Sequence, residues 1–185
     1  MNRFALYGMP GAGKSTVARM LLDAFHEEGR PALTLKIAAP LYELQALIYQ
    51  VAGMPLVTPY RQDGLLLNDL GAHLRRINPD ALTGTFAHRV QRCAAEQPDA
   101  VMVCDDMRAP DADALLRLGF TLVEVWAPDE MRRARKSARG DLSPGADDHS
   151  TEVQPACDPH IRIVNDGRLE DLRTRTATLA RQVLL

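Results

Sequence analysis

Apolar positions along the chain change period repeatedly, and each change predicts an element. Arg3–Tyr7 (RFALY) reads as a buried strand, and residues 15–28 then carry Val17, Met20, Leu21, Ala24 and Phe25 at helical spacing. EEGRP breaks the chain, ALTLKI at 32–37 reads as a second strand, and 39–51 is a helical run that ends at AGMP. Residues 57–63 (VTPYRQD) form a polar, Pro-containing loop, and 64–77 is another helical stretch. NPD at 78–80 supplies a break and an N-cap before a helix at 82–97. AVMVC at 100–104 is a strand that ends on two aspartates. A helix at 110–118, a strand at 120–125 and an arginine-rich helix at 129–139 follow. Residues 140–159, rich in Asp, Pro, Gly and Ser, predict a mobile loop before a last strand at 161–164 and a closing helix at 169–185. Short β-branched strands alternating with helices imply a three-layer α/β/α architecture. Its sheet is parallel, and its ligand sits at the carboxyl ends of the strands.

The first strand runs into GMPGAGKST, which fills the pattern G-x-x-x-x-G-K-[ST] with Gly8, Gly11, Gly13, Lys14 and Ser15, followed by Thr16. Glycines let the backbone curl until its N–H groups point at phosphate oxygens, and the next helix offers its positive end to the same oxygens. Ala12 belongs to this cradle, Lys14 reaches the β- and γ-phosphates, and the Ser15 hydroxyl suits Mg²⁺. The strand before it and the amphipathic helix after it argue against an ordinary glycine-rich turn.

The 185 residues fit a single domain, or a domain with a small inserted lid, and can bury a sizeable core. No apolar run reaches 18 residues, and the N-terminus enters strand and loop directly, so a cytoplasmic protein is expected. The formal net charge of −2 speaks against a surface that grips nucleic acid throughout, though a local basic cleft is compatible with it. Of 22 basic residues only Lys14, Lys36 and Lys136 are lysines. Arginine offers a rigid fork for phosphate, but a GC-rich coding sequence gives the same bias, so arginine positions matter more than their number. Cys93, Cys104 and Cys157 lie far apart and suggest neither a zinc site nor a disulfide.

Asp105 and Asp106 end the strand at the sheet edge that also bears the phosphate loop. Acids there can hold Mg²⁺ directly or through water, or accept a proton from an attacking hydroxyl; one of them could instead cap the following helix. Arg108 gives D-x-R and is suited to a second phosphate. Arg132 and Arg135 are three apart and so share a helix face, where they could close over a transferring phosphoryl group; Arg133 reads as a solvated neighbour. Arg61, Arg75 and Arg76 flank the 64–77 helix, and any of them could be either surface or acceptor contact.

With these pieces in this order, the chain resembles the phage-type deoxynucleoside monophosphate kinases, a branch of the P-loop nucleotide kinases also similar to dephospho-CoA kinase. The likeness runs through GMPGAGKST, APLYEL, RQDGLLLNDLGAHLRRINPD and VCDDMRAPDAD, then HSTE at 149–152 and VNDGRLEDL at 164–172. It implies a P-loop kinase fold over residues 1–185, with an acceptor-binding helical segment at about 39–97 and a lid at about 128–150. It implies ATP and Mg²⁺ as cofactors, with the metal at Ser15 and Asp106. Catalytic roles fall to Lys14, Asp106, Arg108, Arg132 and Arg135. The acceptor contacts fall to Arg61, Asn68, Arg76, Asp105, Arg108, His149 and Glu152. The sequence departs from the family pattern at Tyr42, where a lysine is usual, and at Asn68, Ala109, Ala112 and Thr151. All five lie in the acceptor half.

Three readings follow. The first is transfer of the γ-phosphoryl of ATP to a small-molecule acceptor, a (deoxy)nucleoside monophosphate, in the cytoplasm (a host's, if the chain is phage-encoded), with a homodimer left open. The second is a P-loop kinase acting on a hydroxyl, such as a hydroxymethylpyrimidine free or in DNA, or a CoA precursor. An aromatic content of 5% gives little stacking surface for DNA. The third is a non-catalytic nucleotide-binding regulator, which would not need the lid arginines or the paired aspartates.

Overall fold

The computed structural model describes residues 2–58, 61–138, 140–143, 155 and 157–184. Five parallel strands form one sheet in the order β2-β3-β1-β4-β5, from β1 (Arg3–Tyr7), β2 (Ala32–Thr34), β3 (Val101–Cys104), β4 (Thr121–Trp126) and β5 (Ile161–Val164). Seven helices are described: α1 (Lys14–Glu27), α2 (Ala39–Val51), α3 (Gly64–Ile77), α4 (Ala81–Glu96), α5 (Ala112–Arg117), α6 (Asp129–Ala138) and α7 (Leu169–Leu184). The expected three-layer α/β/α architecture is therefore the observed one.

The central position of β1 explains its unbroken apolar run, since both of its faces are covered. Phe4 and Leu6 point to the layer of α1 and α7, against Val17, Leu21, Phe25, Leu172 and Leu179. Ala5 and Tyr7 point to the other layer, with Leu82, Phe86 and Val90 of α4 and Leu115 of α5. The period of two thus divides one pentapeptide between two cores. Because every strand is parallel, all five carboxyl ends open on one edge, and β1 delivers the glycine loop between the ends of β3 and β4.

Two elements differ from expectation for identifiable reasons. β2 ends at Thr34 rather than at residue 37, with one more ladder bond from the Leu35 N–H to Val103 O at 2.9 Å. Beyond it the Asp106 carboxylate accepts the N–H groups of Ile37 (2.9 Å) and Ala38 (3.0 Å), which draws the chain off the ladder and into α2. The helix expected at 110–118 begins as a 3₁₀ turn, Ala109–Asp111, because the Asp111 carboxylate accepts the Arg108 N–H at 3.0 Å. At the start of α4, Asp80 holds the N-cap position without a side-chain cap bond; the Asn78 side chain accepts the Asp80 N–H instead.

The expected loop after α6 is described only at its ends. Residues 140–143 lie against the start of α3: the Leu142 N–H donates to Gln62 O at 2.8 Å and the Gly64 N–H to Ser143 O at 3.0 Å. Asp63 joins the two segments. Its carboxylate caps α3 through the Leu66 N–H and accepts the hydroxyls of Tyr49, at 2.7 Å, and Ser143. The fully buried Gln45 of α2 holds the same turn, accepting the Asp63 N–H and donating to Arg61 O, both at 2.9 Å. Among the described residues no helix is long and apolar enough to cross a membrane.

Two measurements check this account. Gly8 has φ +137°, and a Cβ on it would stand less than 3.0 Å from Val125 O of β4; Gly29, at φ +70°, has open space around it. Gly29→Ala should cost about 1 kcal/mol of backbone strain, whereas Gly8→Ala should cost about 3 kcal/mol or more in urea unfolding. Equal losses would mean that contact with β4 is not what demands glycine. The second concerns pH. Burial pushes the Asp63 carboxyl up, but the hydrogen bonds from Ser143, Tyr49 and the Leu66 amide more than offset this and leave its pKa below the ordinary value. A depressed carboxyl pKa contributes stability above the unfolded value, near 4, that is lost as pH falls through the folded one. Asp63→Asn keeps a capping oxygen, so the stability gap between wild type and variant should be full above about pH 5 and shrink below about pH 4. A gap independent of pH would contradict the assignment.

Candidate active site

The glycine loop lies between β1 and α1, and its turn is closed by the Ala12 N–H donating to Met9 O at 3.1 Å. Lys14, the first residue of α1, folds back over the loop, its Nζ donating to Gly8 O (2.7 Å) and Met9 O (3.3 Å). No acidic side chain stands in the first turn of α1 to compete with an anion for that helix end. Gly11, Gly13, Ser15 and Thr16 line the wall of a cavity of about 530 Å³, while Ala12 is buried behind the loop.

The cavity runs from this loop across the ends of β3 and β2 to α3. Asp105 and Asp106 both line it, already engaged: the Lys36 Nζ stands 2.6 Å from the buried Asp105, and Asp106 holds the two amides of the turn into α2. The Cys104 thiol also donates to Asp106, at 3.3 Å. Burial raises the Asp106 carboxyl above its ordinary pKa, with Lys36 opposing it. Burial lowers the Lys36 ammonium, but Asp105 outweighs it and the net direction is upward. Arg108 lines the cavity beside Asp111, which is 1% exposed and forms an ion pair with Arg75 at 2.9 Å. Six cationic side chains (Lys14, Lys36, Arg75, Arg108, Arg135 and Lys136) thus face three carboxylates in a chain whose net charge is negative. Such a cavity concentrates positive potential and suits a polyanion.

The expected residues divide accordingly. Lys14, Ser15, Thr16, Asn68, Asp105, Asp106, Arg108 and Arg135 share the cavity. Arg76 is exposed and outside it; so is Arg61, whose Nε donates to Gly140 O at 3.2 Å. Arg132 and Arg135 take different directions. Arg132 is buried against the outside of the loop, donating to Pro10 O (3.2 Å) and Asp129 (2.7 Å), while Arg135 reaches the cavity and Arg133 is exposed. His149 and Glu152 lie outside the described residues.

Among the charged cavity residues, Arg75 was weighed from the sequence only as one of three candidate arginines, and Lys36, Lys136 and Asp111 were given no role in the site. Arg75 lies seven residues after Asn68, two turns along the same face of α3, whereas Arg76 is turned about 80° away. Lys36 and Lys136 complete the set of three lysines in this arginine-biased chain, and all three line the one cavity. Asp111 had no local mark, since its partner Arg75 is 36 residues distant.

Mg²⁺ in phosphate sites takes one or two carboxylates together with phosphate oxygens and waters. Ser15 and the aspartates at the end of β3 all line the cavity and present hard oxygen donors of the kind that requirement names. Among the described residues there is no cluster of three or more His, Cys, Asp or Glu that would hold a metal without such help.

No protein-family model and no curated protein matches the chain. Similar solved structures include the APS kinase of Mycobacterium tuberculosis in complex with AMPPNP and APS, with 16% identity, 99% of this chain and 96% of that one covered, and a TM-score of 0.52. The protein APE1195 is similar at 16% identity, with 100% and 99% covered and a TM-score of 0.56. An uncharacterized protein from Eubacterium ventriosum has 10% identity, 99% and 98% covered and a TM-score of 0.51. The parallel five-stranded sheet between helical layers, with a glycine loop after its central strand, is the α/β/α fold that this chain shares with the APS kinase.

Proposed function

We propose that the chain is an ATP-dependent phosphotransferase that moves a γ-phosphoryl group to a (deoxy)nucleoside monophosphate, giving the diphosphate and ADP. The observation that carries this reading is one face of α3. Asn68, Gly71 and Arg75 follow one another along it and all line the cavity. Asn68 Nδ2 is, among the described residues, the one buried side-chain nitrogen or oxygen without a hydrogen-bond partner. A buried donor left unpaired costs free energy unless a ligand completes it. A Cβ on Gly71 would stand 3.2 Å from Nη1 of Arg75, so the guanidinium folds back over Gly71, where buried Asp111 holds it.

The charge inventory favours the same acceptor over a hydroxyl. A hydroxyl nucleophile calls for a base, yet Asp105 is paired with Lys36 and both Asp106 oxygens accept backbone N–H groups. A phosphate acceptor arrives already anionic and needs cations, and Arg75 and Arg108 flank Asp111 on that side. In this mechanism the loop amides and Lys14 hold the β- and γ-phosphates, and Arg135 offsets charge at the transferring group. Arg132 acts through the loop that it braces. Mg²⁺, held through Ser15 and, by way of water, the already hydrogen-bonded β3 aspartates, would neutralise phosphate charge when bound. Residues 1–185 act as one domain in this reading, with α6 and the segment after it as the lid.

The test is an ADP-release assay with a panel of nucleoside and deoxynucleoside monophosphates and with hydroxymethylpyrimidine-containing DNA. A monophosphate should be the acceptor, and turnover with the DNA alone would sink the proposal. Lys14→Ala should lower kcat by about a thousandfold or more, since its charge is spent at the transition state. Arg75→Ala should raise the acceptor KM by about 10- to 100-fold with the KM for ATP little changed, as a lost charge-assisted contact predicts. Arg76→Ala should stay within about twofold of wild type. Equal effects at both arginines would remove the α3 face from the argument.

A further inference from the structure

Asn165, the residue after β5, touches the phosphate loop from behind the cavity and has no part in the chemistry described above. It is 6% exposed, and its own N–H donates to Trp126 O at 2.7 Å, continuing the β4–β5 ladder by one rung. Its side-chain Nδ2 donates to Ala12 O at 2.8 Å in a fully buried bond between residues 153 apart in sequence. A Cβ on Gly13, at φ +104°, would stand less than 3.0 Å from that same nitrogen, so glycine at 13 leaves the space that the Asn165 amide fills. On the cavity side, Oδ1 of Asn165 accepts from Arg135 at 3.3 Å and its main-chain carbonyl accepts from the same guanidinium at 3.4 Å.

We infer that Asn165 is a positioning residue that sets the orientation of the Ala12–Gly13 peptide plane and thereby aims the Gly13 N–H at phosphate. A trans peptide is planar, with its C=O and N–H pointing in opposite directions. Fixing the Ala12 carbonyl toward Asn165, away from the cavity, turns the Gly13 N–H toward the cavity that Gly13 lines. With glycine on one side of it this plane has little steric preference of its own, so a single buried donor decides it. An amide held in place beforehand binds an oxyanion without reorganising when the ligand arrives. The weaker Arg135 contact places a cavity cation on the same side chain, but the peptide-plane bond is the one on which nucleotide affinity depends. This inference rests on the reading that the loop holds the phosphates of ATP.

Two variants separate the contacts. Asn165→Ala removes both side-chain contacts and leaves only the main-chain carbonyl to Arg135. Asn165→Asp has nearly the same shape, presents an oxygen to Ala12 O in place of the donor, and strengthens the contact to Arg135 into an ion pair. The experiment measures calorimetric affinity for AMPPNP and the glycine amide spectrum of the ¹⁵N-glycine-labelled protein, with thermal melts to establish folding. Both variants should bind AMPPNP about tenfold or more weakly, the loss expected for one buried hydrogen bond, with Asn165→Asp at least as weak as Asn165→Ala. The large AMPPNP-induced shift of the Gly13 amide should be lost in both. If Asn165→Asp binds like wild type and keeps the Gly13 shift, the inference is overturned, and the near-isosteric change keeps this outcome readable even where Asn165→Ala does not fold. Wild-type protein that fails to bind AMPPNP overturns the nucleotide reading itself, and the inference with it.

Discussion

The glycine loop is closed in from three directions by atoms that leave no room for a side chain. The Val125 carbonyl of β4 meets Gly8, the Arg132 carbonyl of α6 meets Gly11, and the Asn165 carboxamide after β5 meets Gly13. Backbone N–H groups can converge on an anion only where side chains are absent, and the loop stays in that shape only where something holds it from behind. The glycines satisfy the first condition and these three neighbours the second. The rest of the site is arranged around this contact. It brings α6 close enough for Arg132 to bond Pro10 O and for Arg135 to reach the cavity, and it places the end of β5 under the loop.

Carboxylates do the corresponding work on the side of the cavity lined by α2 and α3, each organising its surroundings more than it charges them. Asp106 collects two amides and turns the chain from β2 into α2, Asp105 fixes Lys36, Asp111 fixes Arg75 and the turn at Arg108, and Asp63 ties α3 to the segment after α6. A buried charge is tolerated when it is paired and fully hydrogen-bonded, and its removal is costly because the partner is stranded. The acids therefore hold cations and amides in fixed places, while the surplus positive charge is left to face the cavity. A protein of net charge −2 can in this way present a locally cationic site.

The two segments that meet at Asp63 connect the halves of the site. One leads from α2 into α3, which carries Asn68 and Arg75, and the other leads from α6, which carries Arg135 and Lys136. Through Gln45, Tyr49 and Ser143 the start of α3 and the end of the α6 segment share one hydrogen-bond network. The proposed transfer would need its donor and acceptor groups in register, and rigid placement of both sets of cations would contribute directly to that proximity.

The sequence by itself determined what depends on local pattern. Periods of two and 3.6 set the strands and helices, and G-x-x-x-x-G-K-S placed the phosphate loop after a buried strand, because each of these is a property of neighbouring residues. The helix face relative to Asn68 favours Arg75, although the resemblance had pointed to Arg76, which lies outside the cavity. The tertiary structure decided what depends on partners distant in sequence. β2 ends early because Asp106 captures amides 68 and 69 residues away; Arg132 braces the loop where Arg135, three residues on, faces the cavity; and Asn165 bonds Ala12 across 153 residues. Whether a polar side chain points at a ligand or is spent on the protein's own backbone is settled by which carbonyl or amide lies opposite it. That pairing exists only once the sheet has brought the ends of its strands to one edge.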